Sequence, residues 1–128
     1  GKLEQPVRTV LGVGAERNFF GVMPAYLPSL PAMGAKLVTV YHANLAKQLP
    51  SHLATIVLLD PETGALRALV DGRYITEART AAVSAVSARL LARGDSKTLA
   101  ILGSGVQARS HAEALREVFR FEDVRVWS

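Results

Sequence analysis

Thr98-Leu99-Ala100-Ile101-Leu102 is a short apolar run that leads directly into Gly103-Ser104-Gly105 and then Val106-Gln107-Ala108. The run has the length of a buried strand, and the glycines mark a tight turn. From Val106 to Phe119, Ala108, Ala112, Leu115 and Phe119 recur at helical spacing, which predicts an amphipathic helix. Asp123-Val124-Arg125-Val126-Trp127 is β-rich and predicts a second strand. Strand, glycine turn, helix and strand in this order make a βαβ unit. Gly103–Ala108 has the G-x-G-x-x-A form of a dinucleotide fingerprint. Gly103 permits the turn, Gly105 lets a pyrophosphate approach the backbone, and Ala108 lets the helix lie close to its strand. The helix N-terminus offers unpaired N–H groups to the anion. Plain βα turns also carry such a pattern; the strand-turn-helix-strand setting is what points to a nucleotide.

The far end of the second strand bears on which nucleotide. Sites for NAD commonly hold the ribose 2′-hydroxyl with Asp or Glu at that end. Here Trp127-Ser128 stands there, and Glu122 and Asp123 open the strand instead. With no carboxylate to repel a 2′-phosphate, NADP(H) is expected over NAD(H).

Upstream, Tyr74–Arg93 is rich in alanine and predicts a long helix, with Gly94 as its C-terminal cap. Ala78, Ala81, Ala82, Ala85 and Ala88 would let a neighbouring backbone come close. Ahead of that helix the chain reads as strands divided by turns. Arg8–Val13 and Asn18–Val22 flank Gly14-Ala15-Glu16-Arg17 as a hairpin, and Ala35–Tyr41 is a further strand. Leu53–Leu59 and Ala65–Val70 flank Asp60-Pro61-Glu62-Thr63-Gly64, where Pro and Gly suit a turn. Pro24–Gly34 reads as too broken for a regular element, and His42–Pro50 as a loop. The expected fold class is α/β: an antiparallel meander that needs cover on a face, then a βαβ unit.

Composition narrows the function classes. The 128 residues are 49% hydrophobic and 20% charged, which suits a folded domain rather than a disordered chain. Lys and Arg outnumber Asp and Glu by 15 to 11, but they are dispersed and aromatics make up only 6%, so no nucleic-acid track is expected. The lack of cysteine excludes disulfides, zinc-thiolate sites and a cysteine nucleophile. No apolar run approaches the ~18–20 residues of a membrane span, and no signal-peptide layout is seen, so a cytoplasmic domain is expected. His42, His52 and His111 lack metal-ligand spacing, so no metal site is expected. His111 reads as a surface or packing residue. His52 sits in Pro50-Ser51-His52 ahead of an apolar strand, where a ligand-facing loop and an ordinary surface both fit. Lys36 and Arg79 fit either cations snorkelling from apolar elements or a grip on a carboxylate.

Several segments together resemble the ornithine cyclodeaminase/μ-crystallin family. They are Gln5-Pro6-Val7-Arg8-Thr9, Gly21-Val22-Met23-Pro24-Ala25-Tyr26, Ala35-Lys36-Leu37-Val38-Thr39, Pro50-Ser51-His52, Asp71-Gly72 with Thr76–Val83, and Ile101–Ala108. The resemblance implies residues 1–94 as part of a substrate-binding and dimerisation domain, and residues 95–128 as the start of a Rossmann NAD(P)-binding domain. It also implies that the chain is part of a longer enzyme, because family members continue through the rest of the Rossmann sheet and a returning C-terminal segment; a family aspartate associated with catalysis lies beyond Ser128. By motif, Arg8, Lys36 and Arg79 resemble the cations that hold the substrate carboxylate. Ser51, His52 and Arg79 resemble cofactor contacts, and Ser104, Val106 and Gln107, beside Gly103 and Gly105, resemble pyrophosphate contacts.

The activity implied is reduction of a cyclic imino acid by NAD(P)H, with Lys36 as the catalytic candidate. The partners implied are a small imino-acid substrate and a second copy of the chain. In the cyclodeaminase branch a Glu stands two residues before Met-Pro; here that place is Gly21, which favours imine reduction. Ornithine cyclodeamination, amino-acid dehydrogenation and a non-catalytic NADPH- or thyroid-hormone-binding role are the alternatives. The Leu53–Val70 hairpin is apolar on both faces of its first strand, which fits burial in a homodimer or cover by the Tyr74–Arg93 helix and a C-terminal segment of the longer enzyme.

Overall fold

The computed structural model describes residues 2–15 and 17–128. By packing they fall into two units, Gly1–Arg73 and Tyr74–Ser128. In the first, five strands follow one another: β1 (Thr9–Val13), β2 (Asn18–Leu27), β3 (Ala32–Val40), β4 (His52–Leu59) and β5 (Leu66–Asp71). Each pairs antiparallel with the next, so spatial order repeats chain order, as the meander predicted. Glu16, in the predicted β1–β2 turn, lies outside the described residues.

The sequence reading fails at Pro24–Gly34. β2 runs on through Pro24 to Leu27 and β3 already begins at Ala32, with Pro24 opposite Ala35. Tyr26 exchanges hydrogen bonds with Glu4 (both 2.9 Å), on the side of β2 away from β3. Pro24, two residues earlier, directs its nitrogen to that same side. The neighbouring strand there begins only at Thr9, opposite Val22. The missing N–H therefore falls at a gap in the pairing, where a strand tolerates proline. Gly34 is needed for a different reason: a Cβ on it would lie 2.3 Å from the Val57 carbonyl oxygen. The predicted loop after β3 holds a 3-10 helix, His42–Lys47.

At the β4–β5 turn, Leu58 opposes Ala68 and Leu59 opposes Leu66, which leaves Arg67 as the extra residue of a bulge. Arg67 Nε and Nη2 donate to Asp60 Oδ2 at 3.0 and 2.6 Å, while Asp60 Oδ1 accepts from the backbone N–H groups of Glu62 (2.9 Å) and Thr63 (3.0 Å). The Thr63 and Glu62 amides, and then the Arg67 guanidinium, lower the Asp60 pKa from 3.8 to about 2.

The second unit carries α1 (Arg73–Leu91), β6 (Thr98–Leu102), α2 (Val106–Arg116) and β7 (Asp123–Trp127). β6 and β7 are parallel, Thr98 opposite Asp123 through to Leu102 opposite Trp127, as the βαβ reading requires. Gly94 is not the C-terminal cap that the sequence predicts. α1 stops at Leu91, Gly94 does not have positive φ, and the chain turns where Ser96 N and Oγ donate to the Arg93 carbonyl. Packing groups α1 with the βαβ unit. Among the described residues, the apolar side chains shut off from solvent are Ala81 and Ala85 of α1. No described helix is long and apolar enough to cross a membrane.

Candidate functional site

In an antiparallel sheet, residues opposite each other project to the same face, and so do alternate residues along a strand. Lys36 opposes Met23 and Ile56; Val38 opposes Gly21 and Ala54; Val40 opposes Phe19 and His52. Lys36 and His52 therefore share one face of the first unit. Between them runs a row of small groups, Gly21 and Ala54 beside Val38. A Cβ on Gly21 would stand 3.0 Å from Val38 Cγ1, so a side chain there would press into this row. Arg8 immediately precedes Thr9, the first residue of β1, and is exposed; Lys36 is half-buried.

Pro50-Ser51-His52 is held by its neighbours. The Tyr41 N–H donates to the Ser51 carbonyl (2.8 Å), and Asn44 Nδ2 donates to the Pro50 carbonyl (3.0 Å). Ser51 Oγ and His52 Nδ1 lie 3.1 Å apart. The fixed backbone gives both side chains a defined starting point at the head of β4.

In the second unit Gly103 has φ +106°, a conformation L side chains rarely adopt, and its N–H donates to the Trp127 carbonyl (2.7 Å). Gly105 is the N-cap of α2, no side chain caps the helix, and its first turn carries no acidic residue. A Cβ on Gly103 or Gly105 would meet nothing within 4 Å, so the turn leaves open space beside its backbone. Ser104, Gly105, Val106 and Gln107 are exposed. Open donors, the positive end of a helix and no competing carboxylate fit a pyrophosphate. At the other end of the unit, Glu122 pairs with Lys97, and Asp123 accepts from Arg125 Nε (2.6 Å). Both carboxylates stay at the start of β7.

Arg79 lies exposed on α1, in the second unit, while Arg8, Lys36, Ser51 and His52 belong to the first. Each unit thus supplies its own share of the predicted residues. His111, which the sequence marks as a surface or packing residue, bonds to Ser84 of α1 (Nε2 to Oγ, 3.0 Å) and to the Gln107 carbonyl (Nδ1, 2.7 Å). The i, i+4 spacing from Gln107 was visible in the sequence; the Ser84 contact was not. No group of three or more His, Cys, Asp or Glu among the described residues is placed to hold a metal.

The chain is similar to known proteins along its length. The model of the ornithine cyclodeaminase/mu-crystallin family matches residues 1–128. The mouse (Mus musculus) ketimine reductase mu-crystallin is 49% identical over the whole chain, which spans 41% of that relative's length. The Thermococcus litoralis Δ1-pyrroline-2-carboxylate reductase, solved with NADH and L-proline, superposes with a TM-score of 0.93 at 45% identity over 98% of this chain and 39% of its own. An archaeal alanine dehydrogenase dimer with bound NAD gives 0.90 at 35% identity, over 98% of this chain and 38% of its own.

Proposed function

From its membership of the ornithine cyclodeaminase/mu-crystallin family, to which the chain belongs along its whole length, we propose that it forms part of an NAD(P)H-dependent reductase of cyclic ketimines. Substrates of this class are imino acids such as piperideine- or pyrroline-2-carboxylate. The observation that carries the proposal is the open first turn of α2 behind Gly103-Ser104-Gly105, a phosphate seat free of acidic side chains.

In this reading residues 1–94 belong to the substrate-binding and dimerisation domain, and residues 95–128 begin the NAD(P)-binding domain. Arg8 and Arg79 pin the substrate carboxylate, because a guanidinium can hold both oxygens and fix the plane of the group. Lys36 holds the same carboxylate or keeps the imine nitrogen protonated, which makes its carbon more electrophilic. When bound, NAD(P)H supplies the hydride that ends on the C=N carbon, leaving a cyclic amino acid and NAD(P)+. Ser51, His52 and Arg79 position the cofactor, while the amides around Ser104, Val106 and Gln107 bind its pyrophosphate. Positioning and charge complementarity supply most of the rate.

Gly21 opposes the cyclodeaminase alternative. A glutamate there would meet Val38 across the small-residue row. NADP(H) is favoured over NAD(H), since Ser128 follows Trp127 where a carboxylate would exclude the 2′-phosphate. The enzyme works in the cytoplasm as a homodimer. The test is to follow NADPH absorbance with full-length protein and each imine. Saturable turnover is the expected result, and no turnover with any imine overturns the reading.

A further inference from the structure

α1 and α2 present small side chains to each other. Ala78 and Ala81 of α1 face Ser110 and Ala114 of α2 across a cleft whose rim carries Tyr74, Glu113 and Glu117. A cleft in place of interdigitated side chains leaves the sliding of one helix along the other weakly determined. A directional bond would fix it, and Ser84–His111 joins α1 to α2 in this way.

The protons along this link can be placed. A backbone carbonyl only accepts, so His111 Nδ1, 2.7 Å from the Gln107 carbonyl, carries a hydrogen. In the neutral imidazole Nε2 is then the acceptor, and Ser84 Oγ donates to it across 3.0 Å. Ser84 Oγ also lies 3.3 Å from the Thr80 carbonyl, but a hydroxyl has one proton and the shorter contact takes it. The link therefore runs from Ser84, on the helix that carries Arg79, through His111 to Gln107 in the first turn of α2.

We propose that the Ser84–His111 hydrogen bond is a positioning link for hydride transfer, holding the helix of Arg79 in register with the helix that seats the cofactor pyrophosphate. This rests on the reductase reading, in which Arg79 fixes the substrate carboxylate and α2 fixes the cofactor. Neither Ser84 nor His111 touches the reacting atoms. A displacement of about 1 Å between bound donor and acceptor can cost on the order of a hundredfold in rate, so a bond that sets helix register acts on kcat.

Ser84→Ala, Ser84→Thr, His111→Phe and the Ser84→Ala/His111→Phe pair, each made in the full-length protein, test it. Ser84→Ala leaves the alanine-rich helix intact, so it isolates the bond. The expected result is a roughly tenfold fall in kcat with KM for imine and cofactor changed less than about twofold. Ser84→Thr, which keeps the hydroxyl, restores kcat, and the double variant falls no further than either single one because all remove the same bond. Unchanged kcat in Ser84→Ala, multiplicative losses in the pair, or a loss that Ser84→Thr does not recover overturns the proposal while wild-type turnover upholds the reductase reading. A wild type that reduces no imine overturns that reading and the positioning role with it.

Discussion

Asp60 illustrates how much one side chain can settle. Its Oδ1 closes the turn by accepting two backbone amides and its Oδ2 holds the bulged Arg67, so the hairpin end is tied in both directions. The carboxylate titrates near 2 in the folded chain against 3.8 ordinarily. A depressed carboxylate adds stability that is fully present above its unfolded pKa and is lost as pH falls towards the folded value. Asp60→Asn should therefore lower Tm at about pH 5, and the gap from wild type should close between about pH 4 and about pH 2. Thermal melts across that range check this; a gap constant with pH would mean that charge plays no part. The turn itself was legible because Asp, Pro, Thr and Gly act locally. The Arg67 bulge was not, because it depends on the register of β5 against β4.

At the scale of elements, legibility followed how local the governing interaction is. β6 and β7 have the bounds that the apolar runs predicted, and the stripe Ala108, Ala112, Leu115 and Phe119 is half-buried as its spacing required. Pro24 was misread because the effect of a missing N–H depends on where the neighbouring strand begins, which no local pattern records. Gly94 was misread because α1 ends before reaching it. The cation set Arg8, Lys36 and Arg79 came from resemblance alone, since nothing local relates a residue before β1 to one on α1. β7 carries a prediction of its own. With Glu122 and Asp123 engaged by cations at its start, the charge at its other end depends on Ser128. Ser128→Asp in the full-length protein should move the ratio of NADPH to NADH affinity towards NADH by roughly tenfold or more. Paired titrations measure it, and an unmoved ratio would defeat the strand-end argument.

For the molecule as a whole, the sheet leaves large apolar side chains uncovered among the described residues. Leu11, Leu53, Leu66 and Leu69 are 44% or more exposed, and so are Val10 and other apolar side chains. By register Leu11, Leu53 and Leu69 project to one face and Val10 and Leu58 to the other. Soluble proteins seldom leave that much contiguous apolar surface bare. The full-length protein should therefore run as a homodimer in light scattering at about micromolar concentration; a monomer there would refute the assembly. The meander also has a consequence for biosynthesis. Every strand bonds to the one made just before it, so the sheet can finish its hydrogen bonds once Asp71 clears the ribosome, before the β6–α2–β7 unit has emerged. Whatever shields its leucines is no part of the meander. The nascent sheet thus passes through an interval in which it is fully paired yet still adhesive, and during translation that interval is where chaperones have most to protect.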